Sequence, residues 1–128
     1  MTLWKHFVWV AIGGASGSML RYGTALLFKE WQWERLPFAT LTVNLLGCLL
    51  IGFLYGLLNE LPHFPRKYIL LLATGFCGGF TTFSSFAFEN VELLETQSLG
   101  HSLLYIFLSV AGGMLCVIAG VWISRQVV

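Results

Sequence analysis

Four apolar stretches, each about as long as a bilayer is thick, leave this chain few ways to fold. A helix crosses the hydrocarbon core with about 20 apolar residues. Stretches of that order run over 3–28, 38–58, 68–91 and 101–123. The segments between them are short and charged: "KEWQWERLP", "NELPHFPRK" with its two prolines, and "ELLETQSLG". Charged residues make up only 10% of the chain, against about 25% in a typical soluble domain. That is too few to cover a water-facing surface. We therefore expect an all-α membrane protein, a single four-helix transmembrane domain over residues 1–128. The first stretch outruns the roughly 7–15 apolar residues of a signal peptide and lacks its small-residue cleavage site, so it is expected to remain as a helix.

Flanking residues agree with four spans. Trp4, Trp9, Trp31, Trp33 and Trp122 cluster near stretch ends, where an aromatic belt meets the headgroups. Four spans place both termini on one side with Lys5, Arg66, Lys67 and Arg125. Lys29 and Arg35 lie on the other, with Arg21 inside the first span near that side. The bias is weak. It admits two outcomes: insertion both ways up, or cytoplasmic termini.

Several functions are disfavoured. A net charge of +1 offers nothing to nucleic acid, and no nucleotide motif or nucleophile–His–acid set occurs, so no enzyme is expected. His6, His63 and His101 fall near span ends or in loops. Cys48, Cys77 and Cys116 lie inside apolar runs without a CxxC pair and read as packed small residues. There is no Asp, and Glu89, Glu92 and Glu95 fall at or beyond the end of the third span. A proton relay or an organic-cation site lacks its carboxylate.

The remaining clues are polar groups inside the spans. In the first, "GGASGSMLRY" sets Gly13 and Gly17 four apart, on one face that lets another backbone approach. Arg21 follows, either snorkelling to the interface or holding an anion at a pore mouth. In the second, Thr40, Asn44 and Gly47 share a face. Asn44 serves either an interhelical hydrogen bond or a pathway, and Gly52 and Gly56 read as packing. In the fourth, Ser102, Tyr105, Ser109, Gly112 and Cys116 form a stripe at helical spacing, more often a helix contact than a route.

The third span is the most unusual. "GFCGGFTTFSSF" puts Gly75, Gly78 and Gly79 before Thr81, Thr82, Ser84 and Ser85, with Phe80, Phe83 and Phe86 interleaved. Its glycines are expected to let the helix unwind, exposing carbonyls near Gly78 and Thr81 to a small cation, as broken transporter helices do. Phe83 and Phe86, three apart, share a face. Ring edges are electropositive and favour an anion without presenting a cation. Thr82 and Ser84 add hydroxyl donors. Such neutral donors suit a small anion.

"GGASGSMLRY", "PFATLTVNLLG" and "GFCGGFTTFSSF" together resemble the three signature stretches of the Fluc fluoride-channel family, also called CrcB. The resemblance spans the whole chain, and the "GGxTTFS" core is highly specific. It implies a passive, fluoride-selective channel of the bacterial cytoplasmic (inner) membrane that lets accumulated fluoride leave the cell. It implies an antiparallel homodimer with dual topology and two fluoride pathways along the subunit interface. It further implies a structural Na+ at the dimer centre, held by carbonyls matching Gly78 and Thr81 of a broken third helix. Pore-lining phenylalanines match Phe83 and Phe86, the pore asparagine Asn44, and the vestibule arginine Arg21. Tyr105 and Ser109 match fourth-helix pathway positions, and Thr82 and Ser84 the hydroxyl track. Ala39, Ser18 and Ser85 depart from the usual family residues, but all are small and none is a proposed ligand.

Two rivals remain. A small multidrug exporter needs a carboxylate deep in the first span, where this chain has Arg21. A scaffold explains the glycines but not the clustered hydroxyls and phenylalanines.

Overall fold

The structure is a computed structural model that describes residues 2–30 and 36–128. The tryptophans at 31 and 33 and the arginine at 35 lie outside the described residues. All regular elements described are helical. Helix α1 is Leu3–Glu30 and α2 is Phe38–Glu60. A third helical run is assembled from pieces. One turn, α3 (Arg66–Tyr68), leads into a π-helical stretch, Ile69–Cys77, and then a single turn, α4 (Gly78–Phe80). Thr81 and Thr82 are extended, and α5 (Phe83–Thr96) resumes the run. Helix α6 is Leu99–Val127.

Element ends follow local chemistry. Pro37 and Pro65 precede α2 and α3, where a missing N–H costs nothing. Leu61 ends α2 because the residue before a proline avoids the helical region. Thr82 caps α5 by accepting from the Ser85 N–H, and Ser98 caps α6 by accepting from the His101 N–H.

Among the described residues, three runs are long and apolar enough to cross a membrane: Phe38–Glu60, Arg66–Thr96 and Leu99–Val127, with mean hydropathies of 2.1, 1.5 and 2.3. Helix α1 has the length, 28 residues, or roughly 42 Å at 1.5 Å per residue. Its glycines, serines and Arg21 dilute its hydropathy, so it does not join them. The protein is a multi-pass membrane protein. Only 11% of the most apolar window of α6 is buried within the chain. Leu103, Phe107, Met114 and Ile118 all lie exposed on that helix.

Two backbone-to-backbone contacts organise the molecule. A Cβ on Gly13 would land on the Leu71 carbonyl oxygen, and one on Gly17 on the Phe76 carbonyl, 2.8 Å from the Phe80 nitrogen. From the other side, a Cβ on Gly75 would lie 2.8 Å from the Val10 oxygen and 2.9 Å from the Gly13 Cα. The Gly13–Gly17 face therefore seats the third run against α1. Helices α2 and α6 meet the same way: a Cβ on Gly52 would lie 2.8 Å from the Val117 Cα, and one on Gly120 2.6 Å from the Phe53 nitrogen. Little apolar volume is left to fill. One buried cluster joins Leu41, Leu93 and Tyr105; the other joins Leu54, Ala73 and Cys77.

The third run differs from expectation in one respect. Gly78 is helical, at φ −62° and ψ −36°, and the run breaks after the glycines, at Thr81 (φ −88°, ψ 157°) and Thr82 (φ −151°, ψ 124°). The β-branched threonines tolerate extended backbone. Gly75 and Gly79 are instead used for close approach to α1. The nine-residue π-helical stretch has no signature in the sequence; such stretches are rare and usually a single turn.

Candidate functional site

Hydrogen bonds around the break divert its backbone groups one by one. The Cys77 carbonyl accepts from both the Thr81 N–H (3.0 Å) and the Thr81 hydroxyl (2.8 Å). The Gly79 carbonyl accepts from Arg21 Nε at 3.0 Å and from the Ser18 hydroxyl at 3.4 Å. Asn44 reaches across from α2. Its Oδ1 accepts from the Thr82 N–H at 2.8 Å, and its Nδ2 donates to the Thr82 carbonyl at 3.1 Å. The Ser85 N–H turns to the Thr82 hydroxyl, 3.2 Å.

In an unbroken helix the Thr82 N–H would serve the Gly78 carbonyl and the Ser85 N–H the Thr81 carbonyl. Both donors are spent elsewhere, so both carbonyls lose their helical partner. These are the two oxygens the sequence pointed to for a cation. Among the described residues, no three His, Cys, Asp or Glu side chains converge as a metal site.

The break opens on a cleft of about 440 Å³. Asn44, Gly78, Thr81, Thr82, Phe83, Phe86 and Ser109 all line it. The Phe83 and Phe86 ring centroids stand 5.8 Å apart at 47°, and Phe86 packs against Tyr105 at 5.2 Å. The Ser109 hydroxyl is buried and has no hydrogen-bond partner. Nothing lies within 4 Å of a Cβ placed on Gly78, so that wall is open.

Gly47 shapes the same wall. A Cβ there would strike the Thr81 methyl, whose hydroxyl is held on Cys77. Gly47→Ala is expected to push Thr81 off that bond and to cost about 1–3 kcal/mol, the usual range for overpacking. A lowered melting temperature in detergent checks it; an unchanged one refutes the contact.

A second cleft, about 320 Å³, lies behind Thr82, which lines both. Arg21, Ser18, Thr40, Ser85 and Glu89 line it too. The Thr40 hydroxyl donates to Glu89 Oε1 at 2.6 Å and the Tyr105 hydroxyl to Oε2 at 2.7 Å. Beside them the Ser102 hydroxyl donates to Asn90 Oδ1 at 3.0 Å.

Of the sequence-predicted residues, Asn44, Thr82, Phe83, Phe86 and Ser109 converge on the first cleft together with Gly78 and Thr81; Arg21 and Thr82 line the second. Tyr105 is 0% exposed and sits behind Phe86. Ser84 is exposed and lines neither cleft, its hydroxyl 3.2 Å from that of Thr82; Ser85 faces the second cleft.

Glu89 is the polar residue that the span pattern overlooked. That pattern ends the third span near it, whereas the structure holds it inside α5, half-buried, seven residues before the helix ends. A signal existed, since Glu89 follows Phe86 by three, on the Phe86 face. The hydroxyl partners from α2 and α6 had no such signal.

Compared with known proteins, residues 8–121 match the family described as "CrcB-like protein, Camphor Resistance (CrcB)". The chain belongs to the CrcB family. A CrcB relative from Leptospira interrogans serovar copenhageni is 44% identical over 98% of this chain and 99% of its own length. One from Flavobacterium psychrophilum is 38% identical over 95% and 98%, and one from Pseudomonas fluorescens 44% over 91% and 94%. All three bear the name "Fluoride-specific ion channel FluC". CrcB is a channel family, not an enzyme family.

Proposed function

We propose that this CrcB chain is a passive fluoride channel. What carries the proposal is the convergence of Phe83, Phe86, Asn44, Thr82 and the unpartnered Ser109 hydroxyl on one cleft, in a chain whose relatives at 38–44% identity are named fluoride channels. Fluoride is small and strongly hydrated. A pore must replace water's hydrogen bonds yet bind weakly enough to release the ion. Ring edges of Phe83 and Phe86 and the second hydrogen of Asn44 Nδ2 supply neutral donors along one wall, with the buried Ser109 hydroxyl behind it. Arg21, anchored through Nε on Gly79, keeps its other donors for the second cleft, which serves as the vestibule. The hydroxyls of Thr40 and Tyr105 are engaged by Glu89. Their role is to orient that carboxylate and to back the Phe86 ring. Thr82 bridges the two clefts and with Ser85 supplies hydroxyls to the second, while Ser84 reaches them only through the Thr82 hydroxyl.

The working unit is an antiparallel homodimer of four-span protomers, inserted both ways up in the bacterial inner membrane. Phe83 is 80% exposed in the protomer, which suits a residue awaiting a facing wall. The Gly78 and Thr81 carbonyls fit a structural Na+, which when bound raises the local potential for anions. Hard cations take about six oxygens. Two carbonyls per chain are too few; a second copy across a twofold axis raises the number to four, leaving the rest of the shell to other oxygens.

The test is efflux from proteoliposomes loaded with fluoride, with a potassium ionophore balancing charge. The channel passes fluoride with no proton gradient and passes no chloride. Efflux that requires a proton gradient means a coupled exporter, and no efflux means a scaffold; either result ends the proposal.

A further inference from the structure

We propose that Asn44 is the latch that keeps the third helix open: a positioning residue for the break as well as a donor to the cleft. This deepens the channel reading and rests on it only for the purpose of the break. A side-chain amide presents the same donor and acceptor as a peptide group. Asn44 pairs with extended Thr82 through both, Oδ1 on its N–H at 2.8 Å and Nδ2 on its carbonyl at 3.1 Å, as a neighbouring strand would. In a membrane, non-helical backbone survives only where other groups satisfy it. Here one side chain meets that condition for both groups of one residue.

The face of α2 is built around this contact. One turn before Asn44, Thr40 reaches Glu89 on α5; three residues after it, Gly47 leaves room for the Thr81 methyl. The same face thus meets the third run three times, at both residues of the break and beyond it in α5.

The consequence of losing the latch follows from bond counting. Without Asn44, the Thr82 N–H and carbonyl have no partner in an apolar setting, a costly state. The acceptor four residues back is the Gly78 carbonyl. Thr81, extended at ψ 157°, rotates into the helical region and turns the Thr82 N–H onto that carbonyl; Thr82 follows, and the run closes from α4 into α5. Closure occupies one of the two oxygens offered to a cation. The latch and the cation site are therefore one device: Asn44 frees the Gly78 carbonyl by holding the N–H that would otherwise cover it. Nδ2 carries two hydrogens, and Thr82 uses one, so the second remains for the cleft.

Two substitutions separate these roles. Asn44→Ala removes both latch bonds. Asn44→Asp keeps an oxygen for the Thr82 N–H, so the Gly78 carbonyl stays free, while its charge repels an anion in the cleft. The backbone state of Thr82 is read by the 13Cα and 13Cβ shifts of the protein in lipid bilayers. Wild type and Asn44→Asp are expected to show extended-chain shifts at Thr82, and Asn44→Ala helical ones. Broadening of the 23Na resonance is expected with wild type and Asn44→Asp and lost with Asn44→Ala. Fluoride efflux is expected to stop in both variants. A folded Asn44→Ala whose Thr82 remains extended overturns the latch. Should that variant fail to fold, a helical Thr82 in folded Asn44→Asp overturns it equally. The shift measurement involves no fluoride, so a wild type that passes no fluoride refutes the channel reading and not the latch.

Discussion

Phe83→Ile abolishes fluoride efflux from proteoliposomes and leaves the protomer about as stable as the parent. The side chain is 80% exposed and makes its ring contact with Phe86 at the cleft edge. Substitutions at such exposed positions usually change stability by no more than about 0.5 kcal/mol. Isoleucine keeps an apolar side chain but has no quadrupole and no electropositive edge. The Thr82 cap and the Asn44 pair are untouched. What disappears is one neutral anion-facing surface in a route that must replace a hydration shell. Efflux is expected to fall to that of empty vesicles, with the same melting temperature and the same oligomeric size as the parent. Efflux at the parent rate removes this ring from the pathway.

Gly17→Val is expected to have the largest effect on stability, about 3 kcal/mol or more. A Cβ at Gly17 meets the Phe76 carbonyl and the Phe80 nitrogen, so backbone blocks it on two sides and no side chain is free to move away. The contact it breaks holds α1 against Ile69–Cys77 and α4, just before the break. Gly14→Ala is the control. The nearest atom to its Cβ is the Gly75 oxygen at 3.8 Å, an ordinary contact. Alanine there is expected to be neutral or to gain up to about 1 kcal/mol from helix propensity. Melting in detergent compares the two. Equal effects at 14 and 17 would show that backbone contact is not what α1 contributes.

Much of the site was legible because it rests on spacing. Gly13 and Gly17 lie four apart and nest against another backbone. Thr40, Asn44 and Gly47 share a face, and all three touch the third run near its break. Phe83 and Phe86 share a cleft. Periodicity and glycine placement are local properties, and a helix turns them directly into faces.

What the chain determined alone was therefore length, apolarity and facing: helices long enough to cross lipid, a polar aromatic patch in the third, and small residues where backbones meet. Only the tertiary structure decided where that third run opens. The glycines remain helical and the threonines extend, because Asn44 from α2 and Arg21 from α1 take the backbone partners there. Glu89 likewise acquired its place from Thr40 and Tyr105, on two other helices. The physical reason is that a helix break is stable only when groups distant in sequence replace the hydrogen bonds it gives up, and no local pattern records which groups those will be.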